Sequence, residues 1–256
     1  MEKSQGKEGD RLTHGSLFSG IGGFELGAAL AGIDTLWSCE IAAFQRAVLG
    51  LRFPDTEIHG NITETGGLPR VDIISGGFPC QDISVAGAGV GIKGSRSGLW
   101  GEMFRIVGEV RPRYVIIENS PALVIRGFER VLCDLSQIGY DAEWQCIPNS
   151  SFGFPHRRER IYVVAYPHKI RQQACGQLDG GFAPLLKPWL PVDDGHYALA
   201  GRVLALGDCL DYRGNDGVPG WAHRIGALGN AVNPCVARYL FECVKHFDRR
   251  LRGSRD

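Results

Sequence analysis

The chain has 256 residues, enough for one large domain or two small ones at the usual ~100 to 200 residues per domain. Apolar residues make up 44% and charged residues 22%, which is typical of a globular protein and excludes disordered, fibrous and coiled-coil chains. Because 28 Lys and Arg residues balance 28 Asp and Glu residues, the net charge gives no overall attraction to nucleic acid.

The cysteines and the N-terminus indicate the compartment. The eight cysteines include no CxxC pair, so neither a disulfide framework nor a zinc site is favoured. Reduced thiols are typical of a cytoplasmic protein. The first ten residues are polar, and the sequence has no run of ~18 apolar residues. We therefore expect a soluble, cytoplasmic protein with no membrane segment and no metal.

Strands and helices alternate along the first two thirds of the sequence. The patterns predict strands at 12–18, 33–39, 71–75, 114–117 and 161–165, a short strand ending near Asn61, and helices at 24–31, 42–51 and 122–138. Such alternation predicts an α/β protein in which a doubly wound, mostly parallel sheet carries helices on both faces.

The sequence changes in character after Tyr166. Residues 167–221 carry prolines at 184, 188, 191 and 219, many glycines and little periodicity, which predicts a small loop-rich region. Regular structure returns at 222, and an amphipathic helix is predicted at 236–247. The main domain is therefore predicted from 12–166 and 222–247, with flexible tails at 1–11 and 248–256.

Distinctive polar and glycine residues follow the predicted parallel strands. They are Gly20 to Gly23, Glu40, Asn61, the Pro79-Cys80 pair and the Glu118-Asn119 pair. Ligands of open α/β sheets bind outside the carboxyl ends of the strands. These residues are therefore expected to meet at one binding rim.

The glycine loop and Glu40 indicate a cofactor that contains adenosine. The loop lets a ligand approach the backbone, and Glu40, 20 residues after Gly20, can accept hydrogen bonds from ribose hydroxyls. A nicotinamide dinucleotide fits less well, because Glu25 stands where the third glycine of its motif belongs. A tight turn without any ligand fits the glycines equally well.

Cys80 and Glu118 are the candidate chemical groups of the rim. The Gly76-Gly77-Phe78-Pro79-Cys80-Gln81 segment is too polar and glycine-rich for a core, so the Cys80 thiolate could be a nucleophile. Glu118 ends an apolar strand, where burial would raise the pKa of its carboxyl into the range of a general acid. Alternatively, Glu118 caps the helix that follows.

The ordered motifs resemble those of the C5-cytosine DNA methyltransferases of bacteria and phages, over residues 13–166 and 224–240. The matching segments are Phe18-Ser19-Gly20-Ile21-Gly22-Gly23, Glu40, Gly77-Phe78-Pro79-Cys80-Gln81-Asp82-Ile83-Ser84, Glu118-Asn119, 152–160 and Gly229-Asn230-Ala231-Val232. The resemblance implies a Rossmann-like, S-adenosylmethionine-dependent methyltransferase sheet. It also implies that 167–221 is a short target recognition region.

The resemblance implies methyl transfer to C5 of a cytosine flipped out of duplex DNA. In that reaction the Cys80 thiolate adds to C6, and Glu118 assists by protonating or hydrogen-bonding the ring N3. Asn119 would hold the Cys80 segment. Arg158 and Arg160 would meet the base carbonyl or the backbone near Cys80, although without the resemblance the pair would favour a solvated edge strand.

The resemblance also assigns binding residues for cofactor and DNA. The cofactor set is Phe18, Gly20, Ile21, Gly22, Gly23, Glu40, Ile41, Asn61, Pro79, Leu99, Asn230 and Ala231. The set expected to contact DNA is Gln81, Ser84, Lys93, Arg96 and His156. Double-stranded DNA and S-adenosylmethionine are therefore the expected partners, bound by a monomer without an obligate protein partner.

Some positions depart from the family pattern. His156 stands where the family often has Gln, and Asn61 stands where an acidic residue is common, which keeps an acceptor for the adenine amine but loses a charge. The neutral total charge conceals two basic segments, 93–113 and 157–171, which suit a DNA cleft.

An RNA cytosine-5 methyltransferase and a catalytically silent DNA-binding relative remain the alternative functions. A sequence-specific enzyme is expected, of the restriction-modification type or of the phage type.

Overall fold

A computed structural model describes residues 11–79, 98–170 and 230–253 of the chain. Seven strands form one sheet in the order β3-β2-β1-β4-β5-β7-β6. The strands are β1 (Thr13–Leu17), β2 (Asp34–Cys39), β3 (Glu57–His59), β4 (Ile73–Gly76), β5 (Tyr114–Asn119), β6 (Tyr140–Pro148) and β7 (Glu159–Pro167). Strands β1 to β5 are parallel, whereas β7 runs antiparallel to both β5 and β6. The prediction of a mostly parallel α/β sheet is confirmed.

Five α-helices connect or flank the described strands. They are α1 (Gly23–Leu30), α2 (Ala43–Arg52), α3 (Leu99–Val110), α4 (Phe128–Gln137) and α5 (Pro234–Gly253). The single helix predicted at 122–138 is wrong, because Gly127, with φ of 126°, separates the 3-10 turn Pro121–Ile125 from α4. Helix α3 and strand β6 were not predicted.

Each face of the sheet packs against its own set of helices. Neighbouring strand residues alternate between the faces, so that Ile73 and Ile116 pack in the core with α1 and α5, whereas Ile74 and Val115 pack in the core with α3 and α4. Both faces are therefore buried, which explains why the central strands are continuous apolar runs in the sequence.

Helix α5 returns the chain to the main domain, where it packs closely on α1. A Cβ added at Gly23 would collide with the carbonyl oxygen of Val232, and one at Gly27 would collide with Ala237. The predicted flexible tail at 248–256 is wrong for residues 248–253, which complete α5. The physical reason is that Asp248 is buried against Arg113 and Arg252 and accepts a hydrogen bond from the Tyr114 hydroxyl at 3.0 Å.

A buried histidine of β1 links its own strand to both neighbouring strands, β2 and β4. The His14 Nδ1 atom lies 2.9 Å from Thr35 Oγ1 on β2, and its Nε2 atom lies 2.7 Å from Ser75 Oγ on β4. Burial lowers the pKa of His14 to about 3, so the ring is neutral. Among the described residues, no helix is both long and apolar enough to cross a membrane.

Candidate active site

A cavity of about 580 Å³ opens at the edge of the sheet where the parallel strands end. It is lined by residues that directly follow or end five strands, including Phe18 after β1, Glu40 after β2 and Asn61 beyond β3. The predicted site residues that line it are Phe18, Gly20, Glu40, Ile41, Asn61, Pro79, Leu99, Glu118, Asn119, Arg158, Arg160 and Asn230. The rim expected from the strand order therefore corresponds to one concave site.

The loop after β1 holds the Glu40 carboxylate in place. The Gly20 backbone N–H donates to Glu40 Oε2 at 2.8 Å, and the Ala42 N–H donates to Glu40 Oε1 at 2.9 Å. Gly20 has φ of 58°, and Phe18 has φ of 56°, which is uncommon for a residue with a side chain. Each carboxylate oxygen retains a lone pair that can accept a hydroxyl proton.

Glu118 is a buried carboxyl at the end of β5. Its side chain is 11% exposed, and Arg160 Nε donates to its Oε1 at 2.9 Å. A Cβ added at Gly77 would lie 2.7 Å from Glu118 Oε2, so a larger residue there would displace this carboxyl. Burial raises the pKa of Glu118, while the charges of Arg160 and Arg158 act in the opposite direction.

The antiparallel direction of β7 explains how the two arginines reach this site. Strand β7 begins at the edge where β5 ends, with Ile161 opposite Asn119. Because β7 lies between β5 and β6, a solvated edge strand is the wrong interpretation of the arginine pair. Arg158 and Arg160 both line the cavity. Arg160 donates to Glu118 and also to the Glu159 carbonyl oxygen, the latter at 2.8 Å.

Asn119 fixes the segment that leads to Cys80. Its Nδ2 donates to the carbonyl oxygen of Phe78 at 2.9 Å, and its Oδ1 accepts from the Ser120 N–H at 2.8 Å. The Phe78 ring packs on Trp100 with 5.2 Å between ring centroids. The helix-capping alternative for Glu118 is wrong, because Ser120 caps the turn through its hydroxyl.

Comparison with known families identifies these motifs. The family model of C-5 cytosine-specific DNA methylases matches residues 12–187. This chain belongs to that family. The conclusion agrees with the resemblance that the ordered motifs indicated.

Known members of this methylase family are similar over the same part of the chain. Type II methyltransferase M2.BsuMI of Bacillus subtilis is 39% identical over 158 residues, 59% of this chain and 41% of the relative. Type II methyltransferase M.NgoBI of Neisseria gonorrhoeae is 35% identical over 161 residues, 60% of this chain and 50% of the relative. The chain thus matches half or less of the length of these relatives.

A solved structure is similar to this chain in fold. A protein assigned as a DNA modification methyltransferase, encoded within an E. coli prophage, superposes with a TM-score of 0.64 at 17% identity. The match covers 93% of this chain and 99% of the other. At this identity the likeness shows the fold alone.

Several predicted site residues of this chain do not line the cavity. Ile21, Gly22, Gly23 and Ala231 are absent from the described lining, and Gly23 instead leaves space for Val232. The exposed His156 ring stacks on Phe154 at 5.8 Å. Their roles in binding cofactor or DNA stay predictions. The predicted residues Cys80, Gln81, Ser84, Lys93 and Arg96, with region 171–229, lie outside the described residues.

Asn61 lines the cavity, but its amide is engaged within its own loop. Oδ1 accepts from the Thr63 N–H at 3.1 Å, and Nδ2 donates to Glu64 Oε1 at 3.0 Å. The side chain therefore closes the turn after β3, a common role of Asn. Its predicted contact with a cofactor stays a prediction.

Sequence reasoning missed other lining residues, including Cys39, Gln45, Gly60, Ile62 and Ser120. Gln45 lies in the first turn of α2, and no motif in the sequence marks it. The backbone groups around Gly60 and Ile62 also leave no signal in a sequence. Among the described residues, no group of His, Cys, Asp or Glu side chains could hold a metal ion.

Proposed function

We propose that the protein methylates C5 of cytosine in duplex DNA, with S-adenosylmethionine as the methyl donor. The observation that carries this proposal is the buried Glu118, paired with Arg160 in a cavity that Pro79 also lines. Cys80 follows Pro79 directly in the sequence. A carboxyl with a raised pKa next to a nucleophile segment suits attack on a cytosine ring.

The cavity suits S-adenosylmethionine in size and chemistry. Its volume of about 580 Å³ is within the usual range of ~300 to 1,000 Å³ for small-molecule sites. Glu40 would accept hydrogen bonds from the ribose, and the apolar Phe18, Ile41 and Leu99 would pack around the adenosine. When bound, this donor supplies an electrophilic methyl group on its sulfonium for the activated C5 to accept.

The residues of the chain would activate the cytosine. The Cys80 thiolate adds to C6, and the electron pair of the C5–C6 double bond moves into the ring, which makes C5 nucleophilic. Protonated Glu118 donates a hydrogen bond to N3 and stabilises the charge that develops there. After methylation, loss of the C5 proton reforms the double bond and expels the Cys80 thiolate.

The proposal requires the cytosine to leave the duplex, because opposite faces of a stacked base are not accessible. Region 167–221 would select the sequence, as in a type II modification enzyme. Gln81, Ser84, Lys93, Arg96 and His156 would contact the DNA around the flipped base. The basic segments 93–113 and 157–171 predict that binding weakens as salt increases.

Transfer of a labelled methyl group from S-adenosylmethionine tests the proposal. Duplex DNA should be labelled on cytosine, whereas RNA of the same sequence should not. Cys80→Ser should abolish labelling, and the matched change of the exposed Cys133 to Ser should leave it unchanged. Full labelling by Cys80→Ser would refute the mechanism, and preferential labelling of RNA would favour the RNA enzyme.

A further inference from the structure

The two ends of the cavity carry different chemistry. Glu118 and Arg160 lie at the end of β5, whereas Gln45, Asn61 and Ile62 lie at the β2 and β3 end. Strands β3 and β5 are four places apart in the sheet, roughly 19 Å at the usual strand spacing. An extended ligand can therefore occupy both ends.

The proposed function, on which this inference rests, orients the methyl donor. The methyl group must reach the cytosine beside Glu118, and the ribose is expected at Glu40 after β2, the neighbour of β3. The adenine, attached to the other side of the ribose, must then point toward the end that Gln45 lines. The question is which side chain recognises the adenine there.

Asn61 lies at the correct end, but its amide is held by its own turn. Its oxygen already accepts one bond from Thr63, and its nitrogen already donates one to Glu64. These bonds use one of the two lone pairs and one of the two N–H groups, so the turn after β3 fixes the direction of this amide.

Gln45 offers the same amide chemistry in a side chain that is held less. It lines the cavity from the first turn of α2, is partly exposed, and makes no side-chain hydrogen bond within the described ranges of the chain. A Gln amide has one acceptor and adjacent donors, which match the 6-amino group and N7 of adenine.

We propose that the Gln45 amide is the specificity determinant for adenine in this site. Its oxygen accepts from the 6-amino group, and its nitrogen donates to N7. Hypoxanthine presents an oxygen at position 6 as well as N7, so the same amide can satisfy only one of its two acceptors. Gln45 should therefore select adenosyl over inosyl ligands.

Calorimetric binding of S-adenosylhomocysteine and S-inosylhomocysteine to the full chain tests this inference. The wild type should prefer the adenosyl ligand, and Gln45→Ala should weaken binding of that ligand by about tenfold while reducing the preference. The control Gln137→Ala alters an exposed glutamine of α4 and should behave as wild type. Thermal unfolding checks that both variants are folded.

The outcomes separate the two proposals. If the wild type binds S-adenosylhomocysteine and Gln45→Ala keeps the same preference for the adenosyl over the inosyl ligand, the role of Gln45 is refuted. The proposed function then still stands. Failure of the wild type to bind either ligand would overturn the proposed use of the cofactor, and with it this inference.

Discussion

His14 should make the protein sensitive to acid. The ring is fully buried between Thr35 on β2 and Ser75 on β4, and burial lowers its pKa to about 3. Below the ordinary histidine pKa of 6.5, the unfolded chain binds a proton that the folded chain cannot bind. The stability contributed by this neutral ring is therefore present above pH 6.5 and is lost progressively between pH 6.5 and 3.

The size of the loss follows from the two pKa values. At pH 5.5 the unfolded imidazole is mostly protonated and the folded one is not, which corresponds to about 1.4 kcal/mol. At pH 5 the loss reaches about 2 kcal/mol. These losses are a large part of the ~5 to 15 kcal/mol that stabilises a typical domain.

Urea unfolding of the wild type and His14→Gln at pH 8 and pH 5.5 measures this contribution. The Gln variant should be less stable at pH 8, because it replaces a buried ring, but its pH-dependent loss should be smaller than that of the wild type by about 1.4 kcal/mol. The same change at the exposed His156 is the control. Equal pH-dependent losses in the wild type and His14→Gln would refute the reasoning.

Two further changes test how α5 is held. Gly23→Ala places a methyl group against the carbonyl of Val232 and should destabilise the protein by roughly 1 to 3 kcal/mol in urea unfolding. The control Gly66→Ala changes an open position and should have little effect. Equal stability of the two variants would contradict this packing. Asp248→Asn removes a buried charge that pairs with two arginines and should destabilise the protein by about 1 to 3 kcal/mol. The control Glu242→Gln removes a more exposed charge and should cost less than about 1 kcal/mol. A fully stable Asp248→Asn protein would show that these pairs contribute nothing to stability.

The fold was largely predictable because its central strands are buried on both faces. Ile73, Ile74, Val115 and Ile116 all face a core, so the strands are continuous apolar runs. Strand β6 gave no such signal, because Tyr140–Pro148 lies at the sheet edge and mixes Asp, Glu and Gln with apolar residues. The final turn of α5 was not predicted, because the sequence does not show that the charged Asp248 is buried against Arg113 and Arg252.

The rim of the site was predictable in position, since the carboxyl ends of parallel strands meet at one edge. The contacts between side chains within the rim were not predictable from the sequence. The pairing of Arg160 with Glu118 depends on the antiparallel direction of β7, and the engagement of Asn61 depends on the turn that follows it. Gln45 reaches the cavity through the orientation of α2, which no motif records.

The most direct test of the proposed covalent mechanism is mass spectrometry of the protein after reaction with S-adenosylmethionine and duplex DNA that contains 5-fluorocytosine. The fluorine cannot leave as a proton does, so β-elimination is blocked. We expect a stable adduct whose digestion maps the modified nucleotide to the peptide that contains Cys80. Turnover on ordinary DNA without any adduct, or an adduct on another cysteine such as Cys133, would contradict attack by Cys80.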